Sequence, residues 1–239
     1  MIKKISEIKK SAKSVIDITR NIQYFQQRLD GSDCRLVVVS KTYPVATVQQ
    51  AYDAGARIFG ENRAQELAEK AAALPPDIEW HLIGQLQTNK VKLVAPWVHV
   101  VESIDSLRLL LTLERHAAHL QRPIAGLLQL RIAQEDTKTG LTWDEAVALV
   151  ESPEFGLLQH VHLTGVMGIA THTDDQAQVR REFAQLHEYF LELKAQYFEA
   201  DDRFQEVSMG MSQDWPLAVA AGSTLIRVGS AIFGARSHQ

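Results

Sequence analysis

The sequence predicts a closed (β/α)₈ barrel formed as one domain over residues 1–239. Short runs of Val, Ile, Leu and aromatic residues, too short for helices, alternate along the chain with segments of helical periodicity. Some of these runs, Leu36-Val37-Val38-Val39 above all, are apolar at every position, which marks a strand buried on both faces of a parallel sheet. Eight such runs in 239 residues suit a barrel, for which about 250 residues is typical. The alternative, an open doubly wound sheet, is disfavoured because no G-x-G-x-x-G turn follows the first run.

Taken in order, Ile5, Ile8, Ala12, Val15, Ile16, Thr19, Ile22 and Phe25 recur every three or four residues and predict an extra N-terminal amphipathic helix packed outside the barrel. The first strand is 36–40, followed by a helix at 47–55 that Gly55 stops. The second strand is 57–62, with Glu61 and Asn62 as its polar end, and the helix at 64–73 ends at Pro75-Pro76. Strands at 80–84, 97–101, 124–130, 161–166, 205–208 and 224–228 then alternate with helices at 106–120, 143–150, 176–196 and 214–221. Trp80, Trp97, Trp143 and Trp215 are expected in the core or in helix packing.

With 46% hydrophobic residues the chain can fill a full core, and a net charge of −4 offers no basic footprint for nucleic acid or an anionic membrane. A small-molecule ligand is therefore expected. The single cysteine, Cys34, cannot form an internal disulfide, which suits a reducing cytoplasm. The N-terminus lacks the apolar stretch of a signal peptide, and no apolar run is long enough to span a bilayer.

In such a barrel the residues just past each strand share one rim, where ligands bind. Here that list is polar: Lys41, then Glu61 and Asn62, then Gln85, Gln87 and Asn89, then Ser208-Met209-Gly210-Met211-Ser212, then Gly229-Ser230. Lys41 ends a dry strand, where an amine can form a Schiff base with a carbonyl; a solvated lysine opening a loop is the plainer alternative. The loops after strands seven and eight offer small residues, hydroxyls and backbone N–H groups suited to a phosphate, with Ser230-Ala231-Ile232-Phe233 as a helix N-terminus, although turn residues would look the same. Arg227 lies between Ile226 and Val228, so alternation turns it inward, to a ligand or to a core carboxylate. Together an amine, a phosphate cradle and a buried guanidinium describe a site for pyridoxal 5′-phosphate (PLP).

Five stretches carry a resemblance to a known family. These are Val38-Val39-Ser40-Lys41-Thr42, Phe59-Gly60-Glu61-Asn62, Trp80-His81-Leu82-Ile83-Gly84-Gln85-Leu86-Gln87-Thr88-Asn89-Lys90, Ser208-Met209-Gly210-Met211-Ser212-Gln213-Asp214 and Ile226-Arg227-Val228-Gly229-Ser230-Ala231-Ile232-Phe233-Gly234. The chain resembles, nearly end to end, the YggS/PROSC family of PLP homeostasis proteins, which are similar to the N-terminal barrel of alanine racemase (fold type III). The resemblance implies that Lys41 is the PLP lysine, that Ser208, Gly229 and Ser230 hold phosphate, that Arg227 faces the pyridine nitrogen, and that Asn62 lines the pocket. Leu130-Arg131-Ile132 departs from the Val-Asn-Ile usual in the family.

A guanidinium beside the ring nitrogen disfavours a proton there, so the cofactor is a weak electron sink. A racemase of this fold type also needs a second base from an extra β-domain, for which the chain has no residues left. The expectation is a cytoplasmic, monomeric PLP carrier with little turnover, supplying PLP-dependent apoenzymes. An amino-acid racemase, or a cofactor-free aldolase or lyase using Lys41, are the alternatives.

Other signals are weaker. His160 and His162 share a strand face at a metal-like spacing, but at the opposite rim and without a third ligand. Asp136-Thr137-Lys138-Thr139-Gly140 lacks the glycines of a nucleotide loop and reads as a rim loop. His172, Asp174 and Asp175 could form a polar lip, although an N-cap on the helix at 176 explains the aspartates.

Overall fold

Eight parallel strands close on themselves in chain order in the computed structural model, whose described residues are 16–133 and 139–234. The elements are α1 (Ile18–Leu29), β1 (Arg35–Val39), α2 (Val45–Asp53), β2 (Ile58–Glu61), α3 (Ala64–Ala73), β3 (Glu79–Leu82), α4 (Val91–Val94), β4 (Val100–Ile104) and α5 (Leu107–Leu120). There follow β5 (Ile124–Gln129), α6 (Trp143–Val150), β6 (Val161–Met167), α7 (Gln176–Tyr197), β7 (Glu206–Ser208), α8 (Trp215–Ala220), β8 (Leu225–Val228) and a short α9 (Ser230–Phe233). The eighth strand pairs with the first, so Val38 lies opposite Phe59 on one side and Val228 on the other.

Strand alternation splits the apolar residues into two sets. Val37, Val100, Leu127, Met167 and Leu225 fill the barrel's interior, whereas Val38, Phe59, Leu82, Val101, Leu128, Val166 and Ile226 face out to the helices. Polar ends fix where the helices begin. Ser106 caps α5 by accepting the Leu109 N–H, Thr142 and Glu145 form a reciprocal capping box on α6, and Asp175 accepts two N–H groups at the start of α7.

Most element ends fall within two residues of those expected, and two boundaries move further. The N-terminal helix starts only at Ile18, because the Asp17 carboxylate accepts the Arg20 N–H and caps it there; the earlier part of that periodicity, 1–15, lies outside the described residues. The fourth strand begins at Val100 instead of 97, because the chain still turns helically, with the Val98 N–H donating to Val94 O. Trp97 is consequently 38% exposed, in contrast to the core or helix-packing position expected, while Trp80 is buried, Trp143 stacks on Tyr189 and Trp215 meets Phe25 edge-on. Among the described residues no helix is long and apolar enough to cross a membrane.

Candidate cofactor site

Lys41 owes its position to two tethers on either side of it. The Ser40 N–H still donates to Gly60 O, so the β1–β2 ladder runs to the lysine's neighbour. The Ser40 side chain turns outward and donates to Glu61 Oε1 at 2.6 Å, which leaves Lys41 on the inward parity of Val37 and Val39. Lys70, reaching down from α3, is buried and bonds Ser40 O at 2.7 Å, Glu61 Oε1 at 2.7 Å and Glu66 Oε1 at 2.8 Å. Glu66 in turn accepts the Thr42 N–H, and Thr42 is held at φ 70°, a left-handed conformation that a β-branched residue adopts only under constraint. Burial pushes the Glu61 carboxyl above its usual range, against the charge and hydrogen bonds of Lys70.

Across the β1–β8 seam sits the start of α9. Gly229 rests on the end of β1, where a Cβ would come within 2.9 Å of Val39 O, so a side chain there would force the two strands apart. The Ser230 hydroxyl lies 3.1 Å from that of Ser212, and the Ala231 N–H points at Ser212 Oγ at 3.4 Å. The Tyr43 hydroxyl donates to Gly234 O at 2.9 Å and its ring packs on Phe233, stitching the lysine loop to α9. Asn62, one residue past β2, carries a buried Oδ1 that finds no hydrogen-bond partner among the described residues. Its backbone lies against Gly84, where a Cβ would meet Asn62 O at 2.3 Å.

Below this rim the interior is polar. Arg227 donates to Ser208 Oγ and, at 2.9 Å, to Gly168 O, and stands 3.6 Å from Glu102. Ser208 donates to Glu102 Oε2 at 2.6 Å, and His81 bridges Glu102 Oε1 at 2.6 Å and Glu79 at 3.1 Å. Burial alone would strip the His81 proton, but the two carboxylates outweigh it and hold the imidazole at about 8. Burial raises Glu102, yet its bond to His81, the charges of His81 and Arg227, and the Ser208 hydroxyl bring it below the usual carboxylate range. Burial weakens the Arg227 proton, offset by Glu102 and Asp214.

Residues 14–237 match the family model described as alanine racemase, N-terminal domain. A pyridoxal phosphate homeostasis protein of Pasteurella multocida is 38% identical over 230 residues, covering 94% of this chain and 97% of its own. This chain belongs to the pyridoxal phosphate homeostasis protein family. PipY of Synechococcus elongatus, solved without PLP, superposes on this family member with a TM-score of 0.83 at 39% identity, covering 91% of this chain and 100% of PipY. The form with PLP bound gives 0.82 at 37% identity, again covering 91% of this chain and 100% of PipY. Alanine racemase from Streptomyces coelicolor matches at 0.71 and 18% identity over 92% of this chain but only 58% of the racemase, a likeness of fold alone.

In this homeostasis-family barrel, Lys41 follows β1 and Gly229 and Ser230 follow β8, two strands that pair at one seam; Asn62 follows β2, one strand further round, and Arg227 lies within β8 on the parity of Leu225, which fills the interior. Ser208 is fully buried and bonded to both Glu102 and Arg227, whereas the hydroxyl facing Ser230 belongs to Ser212. Ser212 stands in the sequence only as the end of the strand-seven rim loop, in which the resemblance gives the phosphate role to Ser208; His81 and Glu102 are the functional candidates that sequence reasoning left out, because they needed the register of the closed barrel. Arg131 is exposed and donates to Gly140 O at 3.3 Å, while Asp136, Thr137 and Lys138 of the neighbouring loop lie outside the described residues. Gln85, Gln87 and Asn89 are solvent-exposed. Glu114 engages His160 and three backbone N–H groups at the opposite rim, and Asp175 serves as an N-cap.

Proposed function

We propose that this chain holds PLP through Lys41 as a Schiff base and keeps it for delivery to PLP-dependent apoenzymes, without robust turnover. The observation that carries this reading is the β1–β8 seam, where the strand that leads into Lys41 pairs with the strand that carries Arg227 and leads into the Gly229 turn and the Ser212–Ser230 hydroxyl pair. The residues fit the group. The unpartnered Asn62 Oδ1 is a buried acceptor awaiting a donor, Gly229 has no side chain to crowd an anion at the start of α9, and the paired hydroxyls can both donate to phosphate. PLP supplies an aldehyde that condenses with an amine.

In this reading Ser212, Gly229 and Ser230 bind the phosphate, Asn62 lines the ring, and Arg227 approaches the pyridine nitrogen, with Ser208 fixing the arginine. Arg227 keeps a proton off that nitrogen, which disfavours carbanion chemistry. PLP binding by PipY and the names of the curated relatives support the cofactor. We place the protein in the cytoplasm as a monomer, since one barrel rim supplies the whole site.

The test is the visible spectrum of purified protein titrated with PLP. A band that forms in wild type and is lost in Lys41→Ala is expected. No band, or one that persists in Lys41→Ala, contradicts the proposal.

A further inference from the structure

A line of hydrogen-bonded groups runs through the barrel from its far rim to the candidate cofactor arginine. It starts at Glu79, whose side chain is 36% exposed, and continues through His81, Glu102 and Ser208, all fully buried or nearly so, to Arg227. These residues come from β3, β4, β7 and β8, so the line exists only in the closed barrel. Its polarity is fixed. Arg227 can only donate, Ser208 accepts from it and must then give its own proton to Glu102 Oε2, and Glu102 Oε1 takes the Nδ1 proton of His81. The Nε2 proton of His81 goes to Glu79.

We infer that Glu102, oriented by His81, is a positioning residue for Arg227, and that occupancy of the cofactor pocket is coupled through this line to the protonation of His81. The inference rests on the PLP reading of the site. Both oxygens of Glu102 are consumed by donors from opposite sides, so the carboxylate cannot rotate without stranding either His81 or Ser208 in the dry interior. Ser208 in turn is held in the one rotamer that accepts from Arg227. The charged and titratable groups facing His81 are Glu79 on its own strand, Glu102 on β4, His99 just before β4, Arg35 of β1 through its pairing with Glu79, and Arg227 of β8 through Glu102. PLP with its pyridine nitrogen at Arg227 brings a net negative charge to one end of the line and favours the imidazolium at the other.

The test is a pH titration of the His81 imidazole by NMR in wild-type protein, with and without PLP, the signal being assigned by its loss in His81→Gln. An upward move of the midpoint on loading is expected; the same midpoint in both forms overturns the coupling. Linkage makes this reciprocal, so PLP should bind more tightly on the acid side of the midpoint. In Glu102→Gln the side chain has one acceptor oxygen for two donors, so PLP release should quicken at least fivefold and the pH at which the visible band changes should fall, with partial recovery in Glu102→Asp. A folded Glu102→Gln with wild-type release rate and band overturns the positioning role. Should that variant not fold, Ser208→Ala carries the test by cutting the same line beside Arg227, with faster release expected and unchanged release contradicting it. If wild type takes up no PLP, the reading of the site itself has failed, a result distinct from loading without coupling.

Discussion

Three side chains decide how the site behaves, and each makes a separate prediction. Ser212 stands opposite Ser230 at the start of α9, so Ser212→Ala removes one charge-assisted bond to a bound phosphate and should weaken PLP binding roughly tenfold or more by equilibrium titration. An unchanged affinity would remove Ser212 from the site. Lys70 is the buried partner of Glu61, and Lys70→Met leaves that carboxylate uncompensated at a cost of about 3–5 kcal/mol in urea unfolding. A loss below about 1 kcal/mol would mean that Glu61 does not depend on it.

His81 has a folded-state value of about 8 against 6.5 for the free group, so its contribution to stability is fully present below 6.5 and is lost as pH rises through 8. The shift corresponds to about 2 kcal/mol. Wild type minus His81→Gln, compared by urea unfolding at pH 6 and pH 9, should show that difference; a flat difference curve would contradict it. Lys41 and Arg227 stood out in the sequence as candidates from their places at and within strands. His81 and Glu102 were not, because they are 21 residues apart and Ser208 lies 106 residues beyond Glu102, distances that only barrel register closes.

At the scale of elements, the strands announced themselves by runs of β-branched residues, and the helices by periodicity and caps. Element ends were harder to read. Ile16, Thr19 and Ile22 keep a helical spacing across Asp17, so periodicity alone ran through a residue whose carboxylate caps the helix. Trp97 and Val98 extend the apolar run of β4 toward the N-terminus, but the turn after α4 uses them first. The junction of β8 and α9 is closely built, because a side chain on Gly229 would press on Val39 O. Gly229→Ala should therefore cost about 1–3 kcal/mol of stability through overpacking and reduce PLP uptake. Wild-type stability and uptake in that variant would show that the seam is looser than the contact implies.

For the whole molecule, closure of the sheet pairs the strand that leads into Lys41 with the strand that leads into the Gly229 turn, on which the proposed site depends. The (β/α)₈ architecture was readable from the number and spacing of strands, since parallel strands with helical crossovers leave few other arrangements. What the sequence hid was the composition of the interior, where a salt-bridged polar layer replaces part of the apolar fill expected of barrel centres. A PLP carrier with Arg227 beneath the ring should exchange the α-proton of amino acids at no more than trace rates, followed as loss of α-deuterium; exchange in step with a racemase would favour catalysis. Light scattering should return a monomer, and a stable dimer would mean that the rim is shared.

The most direct measurement is borohydride reduction of the PLP-loaded protein followed by peptide mass spectrometry. The expected result is a pyridoxyl mass on Lys41 alone, absent when the phosphate site is cut by Ser212→Ala and Ser230→Ala together at low PLP concentration. A pyridoxyl mass on another lysine, with Lys41 unmodified, would contradict the site at the β1–β8 seam.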